Sequence, residues 1–549
     1  MAGNRSEWRG GVETARDGVT AGRRDTGNVT GWGQGEIECW RPRDLDGVRD
    51  CVARAIATRR PLYPVSTGLN WGYGSSTPPQ PGAVLLDLSG MDRILNEHEL
   101  KHGASVAVIQ PGVTQRQLRD FLAEFRPDLG FNVTGSAMDT SILGNALDRG
   151  VGYLGPRRED LFGLEVVTGT GQILYTGFRR LGKQSPLAHT HPYGLGPMLD
   201  GLFFQGNYGI VTSACFKLLP RPACSAAVSL ALRDTADLAK FLDGLALLKR
   251  LGVMTGVTHV GNQARTQASM MSGIQQYLQQ SCGIEGQRLE HEARRALATV
   301  APYEWTSLSG VMGSKGQVKA AVAEVKRVMG GIAKLTVVDD AKLETGMRLL
   351  HPLRHAWPWA RANAAAIAAI RPLHGLADSS PTDAAIANLL WRYGRPEAAA
   401  TELDASDCGL IYVNPALPMD GRGVVKVIDG MKRVAAARGH ELHMTLNIET
   451  TTSFVAVANL LFDRRNDAAV ANAQACATEL WKYLRHEKLE VYRARADMMS
   501  DLVDDADAFW RTAWALKRVF DPDNLIAPGR YNLPHAPPET PGTPPIRGV

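Results

Sequence analysis

Two stretches rich in glycine are the first places in this chain where backbone chemistry stands out. One runs Ser66-Thr-Gly-Leu-Asn-Trp-Gly-Tyr-Gly74, and the other extends from Gly135-Ser136 to Tyr153. Successive backbone amides in such loops can form a nest for an anion without a helix dipole behind it. By spacing alone, glycine loops are more often plain turns. A Rossmann-type diphosphate site needs GxGxxG between a strand and a helix, and no such run occurs in that context. Gly169-Thr-Gly171 lies between two apolar runs and reads as a hairpin turn. His351 and His355 stand four apart, a spacing that suits a metal, but no third ligand accompanies them. His440-Glu-Leu-His443 is not the HExxH zinc motif. The seven cysteines are scattered without CxxC pairs, which suits buried reduced thiols in a cytoplasmic protein.

These loops need elements to position them. Helical spacing of Val48, Cys51, Val52 and Ile56 predicts a helix over Leu45 to Thr58, with a buried strand over Pro61 to Val65 leading into the first loop. Further strands are predicted at Ala83 to Leu88 and Ser105 to Ile109, and a helix at Gln115 to Leu122. A hairpin is expected from Leu164 to Tyr175, and Leu202 to Leu219 carries a Gly-Asn-Tyr-Gly turn and a strand. From about Ala226 to Glu490 the texture changes to longer helices alternating with strands, such as Leu238 to Leu251, Val318 to Met329 and Gly423 to Ala437. A last helix, Ala506 to Phe520, precedes a proline-rich tail. Trp357, Trp359 and Trp391 read as core aromatics of the middle segment.

The 549 residues, 44% of them apolar and 21% charged, suit a soluble protein of two or three domains. A net charge of +5, with no basic–aromatic patch, gives no support to nucleic-acid binding. Order is expected from near Ile37. The Gly-, Arg-, Asp- and Thr-rich start through Val29 reads as a disordered arm, not a signal peptide. No run approaches the ~18 apolar residues of a membrane span.

Several blocks, in order, resemble the FAD-linked oxidases of the vanillyl-alcohol oxidase and p-cresol methylhydroxylase superfamily. They are Pro64 to Ser75, Val84-Leu-Leu-Asp-Leu88, Pro111-Gly-Val-Thr114, Gly135 to Tyr153, Gly163-Leu-Glu-Val-Val167, Gly206-Asn-Tyr-Gly-Ile-Val-Thr212 and Asp521 to Arg530. The resemblance implies an α+β fold with a split FAD-binding domain of two α+β subdomains and an α+β cap whose antiparallel sheet is flanked by helices. The expected boundaries are an arm over 1–30, FAD-binding parts over 31–225 and 491–535, a cap over 226–490 and a disordered tail over 536–549. It implies FAD contacts from Pro64, Ser66, Thr67, Gly68, Leu69, Asn70, Trp71, Gly72 and Tyr73, and from Pro111. The second loop is expected to contribute Gly135, Ser136, Thr140, Ser141, Gly144, Asn145, Asp148, Gly150, Val151, Gly152 and Tyr153, followed by Gly209, Ile210, Val211 and Arg530.

Tyr73, Tyr492 and Arg493 match positions that hold the phenol oxygen in the subfamily oxidising para-substituted phenols. A phenol has a pKa of about 10, and a nearby guanidinium favours its anion. The phenolate eases hydride loss from the para Cα to flavin N5, giving a quinone methide. Asp148 matches an acidic residue near N5; its alternative role is a salt bridge with Arg149 or a loop cap. The implied partners are a small aromatic substrate, O2 or an electron-transfer partner as acceptor, and a second copy of the chain in a homodimer.

The chain also departs from the family pattern. Asn70 stands where some relatives tether FAD through His. Leu410, in the cap strand Leu410-Ile-Tyr-Val-Asn-Pro415, stands at the subfamily's tether position and cannot form the bond. FAD is therefore expected to be non-covalent, with Tyr412 the fallback tether. Thr450 to Val455 lacks the subfamily's paired histidine, and Ala494-Arg-Ala-Asp497 replaces Thr-His. These changes favour a specialised aromatic or biosynthetic intermediate as substrate. Oxidation of a non-phenolic alcohol, amine or lactone-type intermediate is the first alternative, and a flavin-fold binding protein without turnover is the second.

Overall fold

The computed structural model describes residues 13–14, 18–33, 35–386 and 400–537. Near the N-terminus, a mixed sheet has the order Glu13–Thr14, Val19–Asp25, Glu36–Pro42, Val84–Asp87, Leu62–Val65. Val19–Asp25 runs antiparallel to Glu36–Pro42, and the last three strands are mutually parallel. The expected disordered arm through residue 30 is corrected here. Val19–Asp25 is a paired strand, and Asn28, Val29 and Thr30 are buried. Its polar composition misled because a strand near a sheet edge is held by ladder bonds and does not need a continuous apolar face. Asn28 Nδ2 adds donations to Thr26 O and to Thr77 Oγ1, each at 3.0 Å.

The helix Leu45–Thr58 spans the residues its periodicity marked. Asp44 caps it by accepting Gly47 N at 2.9 Å, and Val48, Cys51, Val52 and Ala55 face the core. On the sheet's far side, Leu62 N donates to Leu525 O and Ala527 N donates to Leu62 O, both at 2.7 Å. The chain's C-terminal segment thus extends the N-terminal sheet, beside Leu62–Val65.

A second, antiparallel sheet has the order Ile173–Tyr175, Leu161–Thr168, Gly209–Lys217, Val106–Ile109. Gly169 to Gly171 is the hairpin turn expected. Gly169 N donates to Phe520 O at 2.9 Å, and a Cβ on Gly169 would stand 2.2 Å from Asp521 Oδ1. Glycine is required there because the C-terminal segment passes against the turn. The second glycine stretch hides a short helix, Ile142–Leu147, capped by Ser141, which accepts Gly144 N at 2.9 Å. Ile142, Leu143 and Ala146 have helical spacing that the surrounding glycines masked.

The middle of the chain forms one large antiparallel sheet. Its order is Ala333–Val338, Cys224–Leu232, Trp305–Gly313, Thr258–Asn262, His443–Ile448, Ser453–Asp463, Cys408–Val413, with Ala416–Pro418 also on Ser453–Asp463. Strand alternation sorts its side chains into two faces. Val260, Ile411, Val413, Met444, Leu446, Ile448, Ala456, Ala458 and Leu460 enter a core shared with residues of the helices Leu238–Arg250, Gly421–Ala437 and Asp467–His486. The opposite parity places His259 beside Asn447 and sets His443, Asn459 and Tyr412 in one cross-strand row. Asn414 and Glu449 continue that parity just past their strand ends. Leu410 and Leu461, on this same face, pack with Val29 and Trp71 of the N-terminal half.

Two aromatic expectations are corrected. Trp357 and Trp359 are exposed (58% and 61%), since they flank the start of the surface helix Pro358–His374. Trp391 lies outside the described residues. His351 Nδ1 is 2.8 Å from Tyr277 Oη. Among the described residues no helix is long and apolar enough to cross a membrane.

Candidate active site

The two glycine loops meet. Ser141 N donates to Thr67 Oγ1 at 3.1 Å, across 74 residues of sequence. Between them opens a cleft. The strand Leu62–Val65 delivers the first loop to this point, and the short helix after Ser141 delivers the second. The amides of Thr67, Gly68, Leu69 and Asn70 donate to no other backbone group among the described residues. A loop with four successive uncommitted N–H groups suits a diphosphate. Gly68 has φ +74°, and a Cβ there would stand 2.5 Å from Ser76 Oγ. A Cβ on Gly144 would stand 2.0 Å from Ser66 Oγ. The two loops therefore pack against each other at Gly144, where an added Cβ would force the Ser66 hydroxyl to turn away.

Most of the residues implied by sequence line this cleft. They are Pro64, Ser66, Thr67, Gly68, Leu69, Asn70, Pro111, Thr140, Ser141, Gly144, Asn145, Asp148, Gly209, Ile210, Val211 and Arg530, joined by Arg493. Trp71, Gly72, Tyr73, Gly135, Ser136, Gly150, Val151, Gly152 and Tyr153 are not among its lining. Gly150 and Gly152 instead have side chains against their Cα atoms, those of Asn145 and Asn132. Tyr153 turns towards the large sheet, its ring 6.1 Å from that of His259. Tyr63, Gln205, Asn207 and Ala527 line the cleft without having been singled out.

At one end of the cleft a single carboxylate holds two guanidiniums. Asp148 Oδ2 accepts Arg493 Nε at 2.7 Å, and Asp148 Oδ1 accepts Arg530 Nη2 at 2.8 Å. Asn70 joins them, accepting from Arg493 Nη2 and donating to Asp148 at 3.3 Å. Arg530 Nη1 also donates to Tyr63 Oη at 3.0 Å. Asp148 thus pairs with residues far off in sequence and not with its neighbour Arg149. Burial opposes the charges on Arg493 and Arg530, but the Asp148 carboxylate and nearby tyrosines hold both above the ordinary guanidinium value.

Tyr73, Tyr492 and Arg493 come together beside this cluster. The Arg493 guanidinium lies 4.2 Å from the Tyr73 ring centre, and Tyr73 and Tyr492 each perturb the other's hydroxyl. Asn414 Nδ2 donates to Tyr73 Oη, while its backbone O accepts Tyr492 N at 3.0 Å. Gln205 Nε2 fixes Tyr492 from the other side, donating to its carbonyl at 3.0 Å. Burial raises the Tyr73 and Tyr492 hydroxyls above the ordinary phenol range, so both stay protonated as donors. Tyr412 stacks 5.1 Å from Tyr73, close enough that a Cβ on Gly72 would stand 2.3 Å from Tyr412 Cδ2. Leu410 is buried in apolar contacts with Trp71 and Leu461.

Two polar residues of this region escaped sequence reading. Asn414 is buried, and its Oδ1 has no hydrogen-bond partner among the described residues. Glu449 is 8% exposed, with Asn447 Nδ2 3.4 Å from its Oε1. Burial pushes its carboxyl up to about 7, and its charge is felt at Tyr492. The alternation His443, Thr445, Asn447, Glu449 against Met444, Leu446, Ile448 was the signal that marked a polar face.

Comparison with known proteins agrees with this geometry. Residues 39–177 match the family described as "FAD binding domain". The chain is 32% identical over 502 residues to a 1'-carboxy-chondrochloren decarboxylase of Chondromyces crocatus, covering 90% of each protein. It is 26% identical to the 4-cresol dehydrogenase [hydroxylating] flavoprotein subunit of Pseudomonas putida, over 86% of this chain and 83% of that one. A 4-ethylphenol oxidase structure from Gulosibacter chungangensis superposes with a TM-score of 0.75 at 22% identity, covering 93% of this chain and 92% of that one. With the family match, the full-length likeness and a cleft between two glycine loops, this chain belongs to the p-cresol methylhydroxylase type of FAD-linked oxidoreductases.

Proposed function

We propose that the protein oxidises a para-substituted phenol, held by Tyr73, Tyr492 and Arg493 with its para carbon chain near Asp148. The observation that carries this reading is the gathering of two buried tyrosines around Arg493, whose guanidinium lines the cleft and lies over the Tyr73 ring. Residues 31–225 and 491–535 form the FAD-binding part in this reading, and 226–490 the cap. The amides of Thr67 to Asn70 and the loop around Ser141 would hold the diphosphate of FAD, with Arg530 and Asp148 lining the same cleft. When bound, FAD supplies the two-electron acceptor, taking hydride at N5 of its isoalloxazine ring.

The chain's own groups do the rest. Tyr73 and Tyr492 donate hydrogen bonds to the phenol oxygen as negative charge gathers there, and Arg493 adds its field. The buried setting strengthens each of these interactions relative to water. With charge on oxygen, electron density moves to the para position and the benzylic C–H bond breaks heterolytically. The hydride's departure leaves a quinone methide. Asn414 keeps the Tyr73 hydroxyl aimed, and Gln205 fixes the Tyr492 backbone. Asp148 keeps Arg493 in place and is positioned to handle a proton at the substrate's benzylic carbon.

A second outcome for the quinone methide is supported by the relative that is a decarboxylase. If the substrate carries a carboxylate on the carbon next to the benzylic one, the bond to that carboxylate can break. Its electron pair then forms the new side-chain double bond and restores the aromatic ring, and CO2 leaves. Anaerobic mixing of the FAD-loaded protein with 4-alkylphenols, aliphatic alcohols and amines tests the reading. Loss of flavin absorbance with phenols alone is expected, and bleaching only by alcohols or amines would overturn it.

A further inference from the structure

Arg265 carries a charge that no described carboxylate answers. It stands in the first turn of the helix Gln263–Cys282, whose start is fixed to the large sheet. Asn262 Oδ1 accepts both Arg265 N at 3.0 Å and Met444 N at 3.1 Å, and Asn262 Nδ2 donates to Leu442 O at 2.8 Å. The Arg265 side chain donates to the Ser269 hydroxyl from Nη1. No ion pair joins it to an acidic residue among those described, whereas Arg361, at the far end of the same helical layer, pairs with Glu292 at 2.7 Å.

The Arg265 Cγ lies 3.9 Å from where a Cβ on Gly261 would stand, on the sheet face that carries His259 and Asn447. The charge of Arg265 is felt at His259 and at the hydroxyl of Tyr412, and Tyr412 also feels Arg493. Tyr412 is thus within reach of two guanidinium charges. One belongs to the cluster that holds Asp148, and the other has no counter-charge. The carboxyl on this face, Glu449, is occupied by Asn447 and by the charge of Lys249. Arg265 keeps part of its surface accessible while burial pulls its guanidinium below the ordinary value. A buried, unpaired charge is costly to a folded protein. Such a group is retained where a ligand supplies the missing charge. The planar fork of a guanidinium matches a carboxylate with two parallel hydrogen bonds.

We propose that Arg265 binds a carboxylate carried by the substrate, so that the enzyme selects phenolic acids over neutral phenols. The proposal rests on the reading that the substrate binds beside Tyr73 and Tyr492. It goes beyond that reading in assigning a second, anionic recognition point. The subsite also holds the carboxylate in place for the decarboxylating outcome.

The test is anaerobic titration of the FAD-loaded protein, following flavin absorbance, with four probes. These are 3-(4-hydroxyphenyl)propionate, its primary amide, 4-ethylphenol and 3-phenylpropionate. In the unaltered protein the acid should bind about ten-fold or more tightly than the amide, the scale of one charge-assisted pair. In Arg265→Gln that ratio should fall to near one, and in Arg265→Lys part of it should return. Equal affinity for acid and amide, or a preference that survives Arg265→Gln, overturns the proposal. 3-Phenylpropionate separates the two readings because it lacks the phenol. If it binds in an Arg265-dependent way while no phenol perturbs the flavin, the anionic subsite stands and the phenol reading falls. Should 4-ethylphenol bind while neither acid shows dependence on Arg265, the subsite falls and the phenol reading stands. FAD content and melting temperature of each variant confirm that it is folded.

Discussion

Asp148→Asn keeps the shape of the side chain and removes the charge that holds two guanidiniums at one point. Asp148 is 6% exposed and accepts Arg493 Nε at 2.7 Å and Arg530 Nη2 at 2.8 Å. With charge centres roughly 4 Å apart and an effective dielectric of about 20, each pair is worth about 4 kcal/mol before desolvation. Removing the shared partner leaves two like charges facing each other, and the net cost of such a break is about 3–5 kcal/mol. The assay is equilibrium urea unfolding at neutral pH, followed through a signal from the flavin-binding half, on flavin-free and flavin-loaded protein. Combining Asp148→Asn with Arg530→Leu should recover part of the loss, because one of the two stranded cations is then gone. A loss below about 1 kcal/mol in Asp148→Asn, or no recovery in the double variant, would refute the idea that this carboxylate organises the site.

Other outcomes follow from the same geometry. Gly144→Ala places a Cβ 2.0 Å from Ser66 Oγ and should weaken FAD binding about ten-fold or more, measured by titration of the flavin-free protein. Gly72→Ala meets both a φ of +74° and the Tyr412 ring, and should cost about 1–3 kcal/mol in thermal or urea unfolding. Glu449 is a buried acid whose folded value, about 7, lies above its unfolded value of 4.5. Its burial therefore costs nothing at pH below about 4.5, destabilises progressively as pH rises, and reaches its full effect above about 7. Glu449→Gln should accordingly be more stable than the unaltered protein at pH 8 and show no gain near pH 4. Acid precipitation of the FAD-loaded protein should leave the yellow colour in the supernatant, as the apolar burial of Leu410 implies; a yellow pellet abolished by Tyr412→Phe would reverse that conclusion.

The parts of the fold that sequence revealed are those whose physics is local. The helix Leu45–Thr58 has a cap, an apolar stripe and a clear stop, and its limits were legible. The hairpin at Gly169 was legible from two apolar runs about a short turn. Val19–Asp25 was not, because its stability comes from a partner strand rather than from its own composition. The site divides in the same way. Ser66 to Asn70 were legible as a loop lining the cleft, because a run of uncommitted amides is a property of one loop. The partners of Asp148 could not be read from neighbours in sequence, since Arg493 and Arg530 lie more than 340 residues away. Glu449 and Asn414 were missed because their importance depends on which face of a sheet is turned towards the other half of the molecule.

The pairing of Leu62 with residues 525–527 has a consequence for how this protein is made. The sheet that carries the first glycine loop lacks its last neighbour until the ribosome has added about 460 further residues, roughly half a minute to a minute and a half of synthesis. Throughout that interval the nascent N-terminal half has an open edge at Leu62–Val65, while Arg530 has yet to reach Asp148. The wall that Ile526, Ala527 and Arg530 give the cleft is thereby added only at the end of translation, and a chain that terminates early lacks it however complete its two glycine loops are.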